Sequence, residues 1–205
     1  MIEVNIAQQD QQWFTEKAGK PSASEFKMIV DCSGKPSTQR NKYLYTLVGE
    51  RFLGTKVATR PTFAMQRGIE LEAEARMFFE LLTGLDVRQT GFIYPDERKL
   101  YGCSPDGVIQ ENIGLEIKCP ALHTHMEYLH KNKLPSEYKQ QVQGSMMVTE
   151  FKSWYFMSYY PGLEPLILEV KRDEKYCEVL QTEVEKFCKN IDKIYSEIRG
   201  QHESI

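Results

Sequence analysis

Apolar positions in the first half of the chain recur at intervals of three and four, the period of a helix with one buried face. Tyr43, Leu44, Leu47, Val48 and Phe52 keep that period within residues 38–53, and Gly54 stands where the helix would stop. A longer stripe of Met65, Ile69, Ala75, Phe78, Phe79 and Leu82 runs from Thr62 to Thr83 and ends at Gly84, with Glu70, Glu72 and Glu74 between. Earlier, Ser22 precedes Glu25 by three residues in SASEFKMIV, the spacing of a capping box. It predicts a helix start with Ser24 in its first turn.

The period changes in the centre. DVRQTGFIYPD, KLYGCS, DGVIQ and GLEIKCP are short, rich in strand formers and separated by turn residues, which predicts a meander of strands. ALHTHMEYLHKN and PSEYKQQVQGSMMVT return to helical spacing, the second with Pro135 where a helix start tolerates proline. KSWYFMSYY and PLILEVKR predict two more strands. A closing helix carries Tyr176, Leu180, Val184, Phe187, Ile191, Ile194 and Ile198 on one stripe. Helices, then strands, then helices around them describe an α/β or α+β fold with one central mixed sheet, expected as a single domain over residues 1–205.

Within GCSPDGVIQENIGLEIKCP, alternation places Leu115, Ile117 and Cys119 on one face of a strand and Glu116 and Lys118 on the other. Asp106 precedes a short strand, ENIG reverses the chain, and Glu116 returns beside it, so the two carboxylates would meet at the sheet's edge. Oxygen ligands that converge in this way suit Mg²⁺ or Mn²⁺, and a neighbouring lysine could hold the attacking water and offset charge on a phosphate. An isolated E-x-K pair is most often a solvated ion pair; the S-P-D-G ahead of it changes that reading.

Charge and cysteine usage narrow the possibilities. The 205-residue chain has a formal net charge of −3, which excludes a general basic surface that coats nucleic acid but leaves room for local cations at a few phosphates. Five cysteines without a C-x-x-C pair predict free thiols rather than a disulfide framework. No signal peptide or membrane-length apolar segment is read, so a soluble cytoplasmic protein is expected. His123, His125 and His130 have no acid or cysteine at ligand spacing to complete a zinc site. The aromatic run from Trp154 to Tyr160 reads as sheet core before it reads as a base-stacking platform. Asp96, in YPDER, has the chemistry of a turn aspartate.

CSPDG followed by LEIKCP resembles the motif of the PD-(D/E)xK nuclease superfamily. The flanks resemble the phage lambda exonuclease, or YqaJ-type viral recombinase, family within it: W-x-x-x-K-x-G at Trp13–Gly19, SASE, RGIELEAEAR, QVQGSMMVT, WYF and RDEKY occur in the same order. The resemblance covers essentially the whole chain and implies a restriction-endonuclease-like core. It implies that Asp106, Glu116 and the backbone carbonyl of Ile117 hold two Mg²⁺ ions, that Lys118 positions the attacking water, and that Glu72 and Gln141 are further active-site residues, with Asp96 at another acidic family position. It also implies that Lys17, in place of the family's arginine, and Ser24 bind a 5′-phosphate, that Met65 is a wedge at the duplex end, and that Lys35, Arg40 and Lys42 track the DNA backbone. Without the resemblance, Met65 reads as core.

The implied activity is 5′-to-3′ digestion of one strand of linear duplex DNA, releasing mononucleotides and leaving a 3′ single-stranded tail. A homotrimeric ring, a single-strand annealing partner, and a phage or prophage product in a bacterial cytoplasm are implied with it. The alternatives are a structure-specific or restriction-type endonuclease, and a non-catalytic protein that binds DNA ends.

Overall fold

The computed structural model describes residues 1–8, 10–57 and 62–202. A short strand, β1 (Ile2–Val4), and helix α1 (Gln11–Lys17) open the chain; the Asp10 side chain caps α1 by accepting from the Gln12 N–H. A six-residue 3-10 helix then covers Ala23–Met28. It replaces the α-helix expected there, and the Ser22 side chain makes no capping hydrogen bond, so the capping-box reading fails. Helices α2 (Arg40–Leu53) and α3 (Phe63–Thr83) follow, ending on Gly54 and Gly84 in the left-handed conformation.

Five strands form the main sheet: β2 (Val87–Arg88), β4 (Gly107–Ile109), β5 (Ile113–Lys118), β6 (Ser153–Ser158) and β7 (Leu166–Lys171), in that order across it, while β3 (Phe92–Tyr94) stands apart. Only β5 and β6 run parallel; helices α4 (Leu122–Lys131) and α5 (Lys139–Thr149) supply the crossover that a parallel pair requires. The long helix α6 (Glu174–His202) closes the chain.

Two strand expectations need correction. The central meander is interrupted, because β3 leaves the main sheet and pairs antiparallel with β1, a strand too short to show alternation in the sequence. KLYGCS makes isolated bridges, Gly102 to Ser22 and Cys103 to Ile93, and no strand. Pro135 is likewise not inside a helix but precedes a 3-10 turn, Ser136–Tyr138, that leads into α5.

The sheet is covered on both faces. Ala75 and Phe79 of α3 pack with Ile109, Leu115, Ile117 and Met157 on one side, and Val142 and Met146 of α5 pack with Val108, Trp154 and Phe156 on the other. A third cluster joins α2 and α6 to the 3-10 helix through Phe26, Tyr43, Leu47, Leu180 and Phe187. The α3 stripe is only half buried: Met65, Ile69 and Leu82 are exposed, since the helix lays just one narrow face on the sheet. No helix among the described residues is long and apolar enough to cross a membrane.

Gly114 shows how tightly the middle of the sheet is filled. It pairs with Trp154 across β5 and β6, and a Cβ on it would stand 2.3 Å from the indole ring. Trp154 is fully buried, so the ring has no free direction in which to move. Gly114→Ala is expected to destabilise the fold by roughly 1–3 kcal/mol through overpacking. Urea unfolding of the two proteins checks this; equal midpoints would show that the ring yields.

Candidate active site

The antiparallel hairpin of β4 and β5 turns through Gln110, Glu111 and Asn112, the first two at positive φ (48° and 64°), so the chain reverses at the start of ENIG as expected. Its register puts Gly107 opposite Leu115, so Asp106 lies beside Glu116. The meeting point is the middle strand of the five, not the edge of the sheet. Glu116 shares a face with Phe156, to which it is paired, and that face is covered by α5. The Glu116 side chain is therefore 2% exposed, which excludes a solvated pair.

Burial of a carboxylate requires donors, and three elements supply them. Lys118, two residues on, gives its ammonium to Glu116 Oε1, and Gln141 of α5 donates its amide to the same oxygen at 2.6 Å. Asp106 Oδ2 accepts from the backbone N–H of Ile117 at 2.6 Å, and Lys118 Nζ lies 5.3 Å from the centre of the Tyr138 ring. From α3, Glu72 reaches the same region through Arg76, whose guanidinium donates to Glu72 Oε1 at 2.5 Å and to the Asp106 carbonyl at 3.3 Å.

The charges press on one another. Burial, then repulsion from Asp106, pushes Glu72 up to about 7; burial, with further repulsion from Asp106 and Glu72, pushes Glu116 up to about 8. Burial raises Asp106 as well. Burial works against the Lys118 ammonium, but Glu116 and Asp106 more than offset it and hold it protonated. Three carboxylates facing Lys118 and Arg76 thus retain a proton that a bound divalent cation would displace. Among the described residues no three acidic, histidine or cysteine side chains converge into a complete cage. A cation here would draw on a pair of carboxylates, main-chain oxygen and solvent, a donor set that fits Mg²⁺ or Mn²⁺.

A cavity of about 160 Å³ joins these groups to the other end of the chain: Asp106, Glu116, Lys118 and Gln141 line it together with Lys17, Ser24, Gln8, Trp13, Ser104 and Ser145. A larger one, about 550 Å³, lies against Glu72, Arg76, Gln89 and Asn5 and shares Asp106 and Gln8. Lys17 is buried, with its ammonium 3.8 Å from the centre of the Trp13 ring one helical turn earlier. The Trp13 indole N–H donates to Ser104 Oγ at 3.0 Å, tying α1 to the loop that carries Asp106. Ser24 stays within 3.2 Å of Ser22 Oγ. The backbone N–H groups of Ala23 and Glu25 already bond to Gly102 and Ser22, so the hydroxyl and the ammonium, not a helix terminus, are what this end of the cavity offers.

Other expected residues fall elsewhere. Asp96 bonds to Arg98 at 2.6 Å and to its backbone N–H, in a turn lining neither cavity. Arg40 pairs with Glu183 at 2.7 Å and fastens α2 to α6, so it is not free to track DNA, whereas Lys35 and Lys42 are exposed. Met65 is 53% exposed, against the core reading. His125 is buried between Ser158 and the Glu164 carbonyl while His123 and His130 are exposed, so the three rings do not converge. All five cysteines are unpaired. Arg76 and Trp13 were open to inference from their spacing of four to Glu72 and Lys17; Gln8 and Ser145 carried no signal.

The fold is that of solved exonucleases over most of the chain. An alkaline exonuclease, LHK-Exo, from Laribacter hongkongensis superposes with a TM-score of 0.87 at 29% identity over 95% of this chain and 99% of its own; it has also been solved with dAMP. A phage-related exonuclease from Haemophilus somnus shares the fold at TM-score 0.68 and 17% identity over 87% of this chain and 96% of its own. The chain belongs to the YqaJ-like viral recombinase domain family, which matches residues 12–152. Over 70 residues, 32% of this chain and 78% of the relative, it is also 37% identical to the ExoD protein of Escherichia coli K12.

Lys17 gives the site a measurable cost. Burial, then repulsion from Lys56, lowers it from 10.5 to about 7, with Glu25, Cys103 and Glu50 pulling the other way. Between those values the unfolded chain holds a proton that the folded one lacks, so this group's contribution to stability rises with pH. Lys17→Met is expected to stabilise the free protein by roughly 1–3 kcal/mol near neutral pH, a gain that shrinks as pH approaches 10.5. Denaturation of both proteins across that range checks the sign; a gain independent of pH would place the cause in packing.

Proposed function

We propose that this protein is a Mg²⁺-dependent exonuclease, with Mn²⁺ able to substitute, that digests one strand of linear duplex DNA from its 5′ end. It releases mononucleotides and leaves a 3′ single-stranded tail for recombination by strand annealing. The observation that carries this reading is the single cavity in which Lys17 and Ser24 stand with Asp106, Glu116, Lys118 and Gln141. A terminal phosphate carries charge that an internal diester lacks, and an enzyme that cuts internally would have little use for a 5′-phosphate pocket. The solved complex of LHK-Exo with dAMP, a mononucleotide, supports the proposed product.

Asp106, Glu116 and the carbonyl of Ile117 would hold two Mg²⁺ ions, with Glu72 from α3 as a further acidic active-site residue. Bound there, the metal supplies a Lewis acid that activates water and neutralises charge on the scissile phosphate. The chain's own groups do the rest. Gln141 fixes one oxygen of Glu116, leaving the other free to face a cation. Lys118 orients the attacking water and offsets charge in the transition state. Lys17 and Ser24 hold the 5′-phosphate and set the strand polarity. Exposed Met65 would serve as the wedge at the duplex end, with Lys35 and Lys42 on the backbone. Family membership supports a ring-shaped homotrimer and a single-strand annealing partner in a bacterial cytoplasm, for a phage or prophage product. Coverage of the chain by LHK-Exo supports one domain over residues 1–205.

The test is a time course on end-labelled linear duplex with Mg²⁺. Mononucleotides should appear from the earliest times, faster from 5′-phosphorylated than from 5′-hydroxyl ends, and Lys118→Ala should lose roughly 10²–10⁴ in single-turnover rate while still binding DNA. Internal fragments as the first products, or cleavage that persists in excess EDTA, would sink the proposal.

A further inference from the structure

Glu50, on α2, lines neither cavity, yet it is 2% exposed and no cation lies within ion-pair distance among the described residues. Its two oxygens are spent on backbone. Oε2 accepts from the N–H of Gly19 and Oε1 from the N–H of Val57, each at 3.1 Å. The next residue, Arg51, donates through Nε to the carbonyl of the same Gly19 at 3.1 Å, and its guanidinium is tied to Asp192 of α6. Adjacent α2 side chains thus hold both polar backbone groups of one residue. That residue sits at φ 65°, and a Cβ on it would come 2.1 Å from Arg51 Cγ. Gly19 is two positions from Lys17, just beyond the end of the short α1.

A buried carboxylate with no counter-ion is costly unless its charge or its capacity to accept two hydrogen bonds is needed. A glutamine of the same shape accepts with one oxygen and would set its amide hydrogens against the second N–H. The charge also favours the protonated form of Lys17, against the desolvation that disfavours it.

We propose that Glu50 is a positioning residue for DNA-end recognition: from inside the core it clamps the Lys17–Gly19 turn to α2, so that Lys17 meets a terminal phosphate at a fixed place. The inference rests on the 5′-phosphate reading given above and identifies the scaffold of that specificity rather than another ligand of it.

The experiment measures binding rather than cleavage. Fluorescence anisotropy of the full chain in EDTA gives Kd for a hairpin duplex with a 5′-phosphate and for one with a 5′-hydroxyl. The wild type should prefer the phosphate, and Glu50→Gln should lower that preference about fivefold or more while its Kd for the hydroxyl duplex stays within about twofold. In a Lys17→Met background the same change should do nothing further to the preference. Gly19→Ala, which pushes the turn off α2 while leaving the Glu50 carboxylate in the chain, should reproduce the loss and carries the test if Glu50→Gln does not fold. An unchanged preference in Glu50→Gln, or equal weakening on both ends, would overturn the inference and leave the phosphate pocket standing. A wild type that does not distinguish the ends would remove the pocket itself, and the inference with it.

Discussion

A carboxylate on the middle strand of a sheet covered on both faces cannot remain charged without donors around it, and Glu116 organises the molecule through that requirement. Its partners come from separate parts of the chain. Lys118 comes from the same strand face and Gln141 from the helix that seals that face, while Asp106 is held by the main chain of Ile117. The apolar packing of α5 against Trp154 and Phe156 therefore does more than bury area, because it fixes the depth at which Gln141 meets the carboxylate. A helix displaced by one turn would carry Gln141 away and leave Lys118 to hold the carboxylate.

The first twenty residues extend the same logic. They contribute little to the main sheet, yet α1 leans on the Asp106 loop through Trp13 and Ser104 and on α2 through Gly19, and between those attachments it carries Lys17. The acidic and basic ends of the cavity are thus joined by rigid contacts rather than by a flexible loop. In a chain whose net charge is −3, two lysines, Lys17 and Lys118, thus stand in one cavity beside Asp106 and Glu116.

Long helices were legible because α2 and α3 combine a regular apolar period with glycine stops. The hairpin that aligns Asp106 with Glu116 could be read from two short strands and the turn residues between them. What could not be read was depth. Alternation says that Glu116 and Lys118 share a face and is silent on whether a helix covers it. Hydroxyl spacing at Ser22 mimicked a cap where tertiary bridges from Gly102 had already taken the backbone groups. Methionine at helical spacing suggested core at Met65, but α3 touches the sheet with one narrow face. Lys17, a charged residue in a helix of only seven, gave no hint that it would be buried.

The parallel pairing of β5 with β6 has a consequence in time. The β4–β5 hairpin joins neighbours in sequence and can form early, bringing Asp106, Glu116 and Lys118 together by a local turn. Gln141 arrives only when the crossover through α4 and α5 has closed and β6 has docked, and Lys17 only when α1 has found the Asp106 loop about ninety residues away. A partly folded chain can therefore hold Asp106, Glu116 and Lys118 together before Gln141 and Lys17 have joined them.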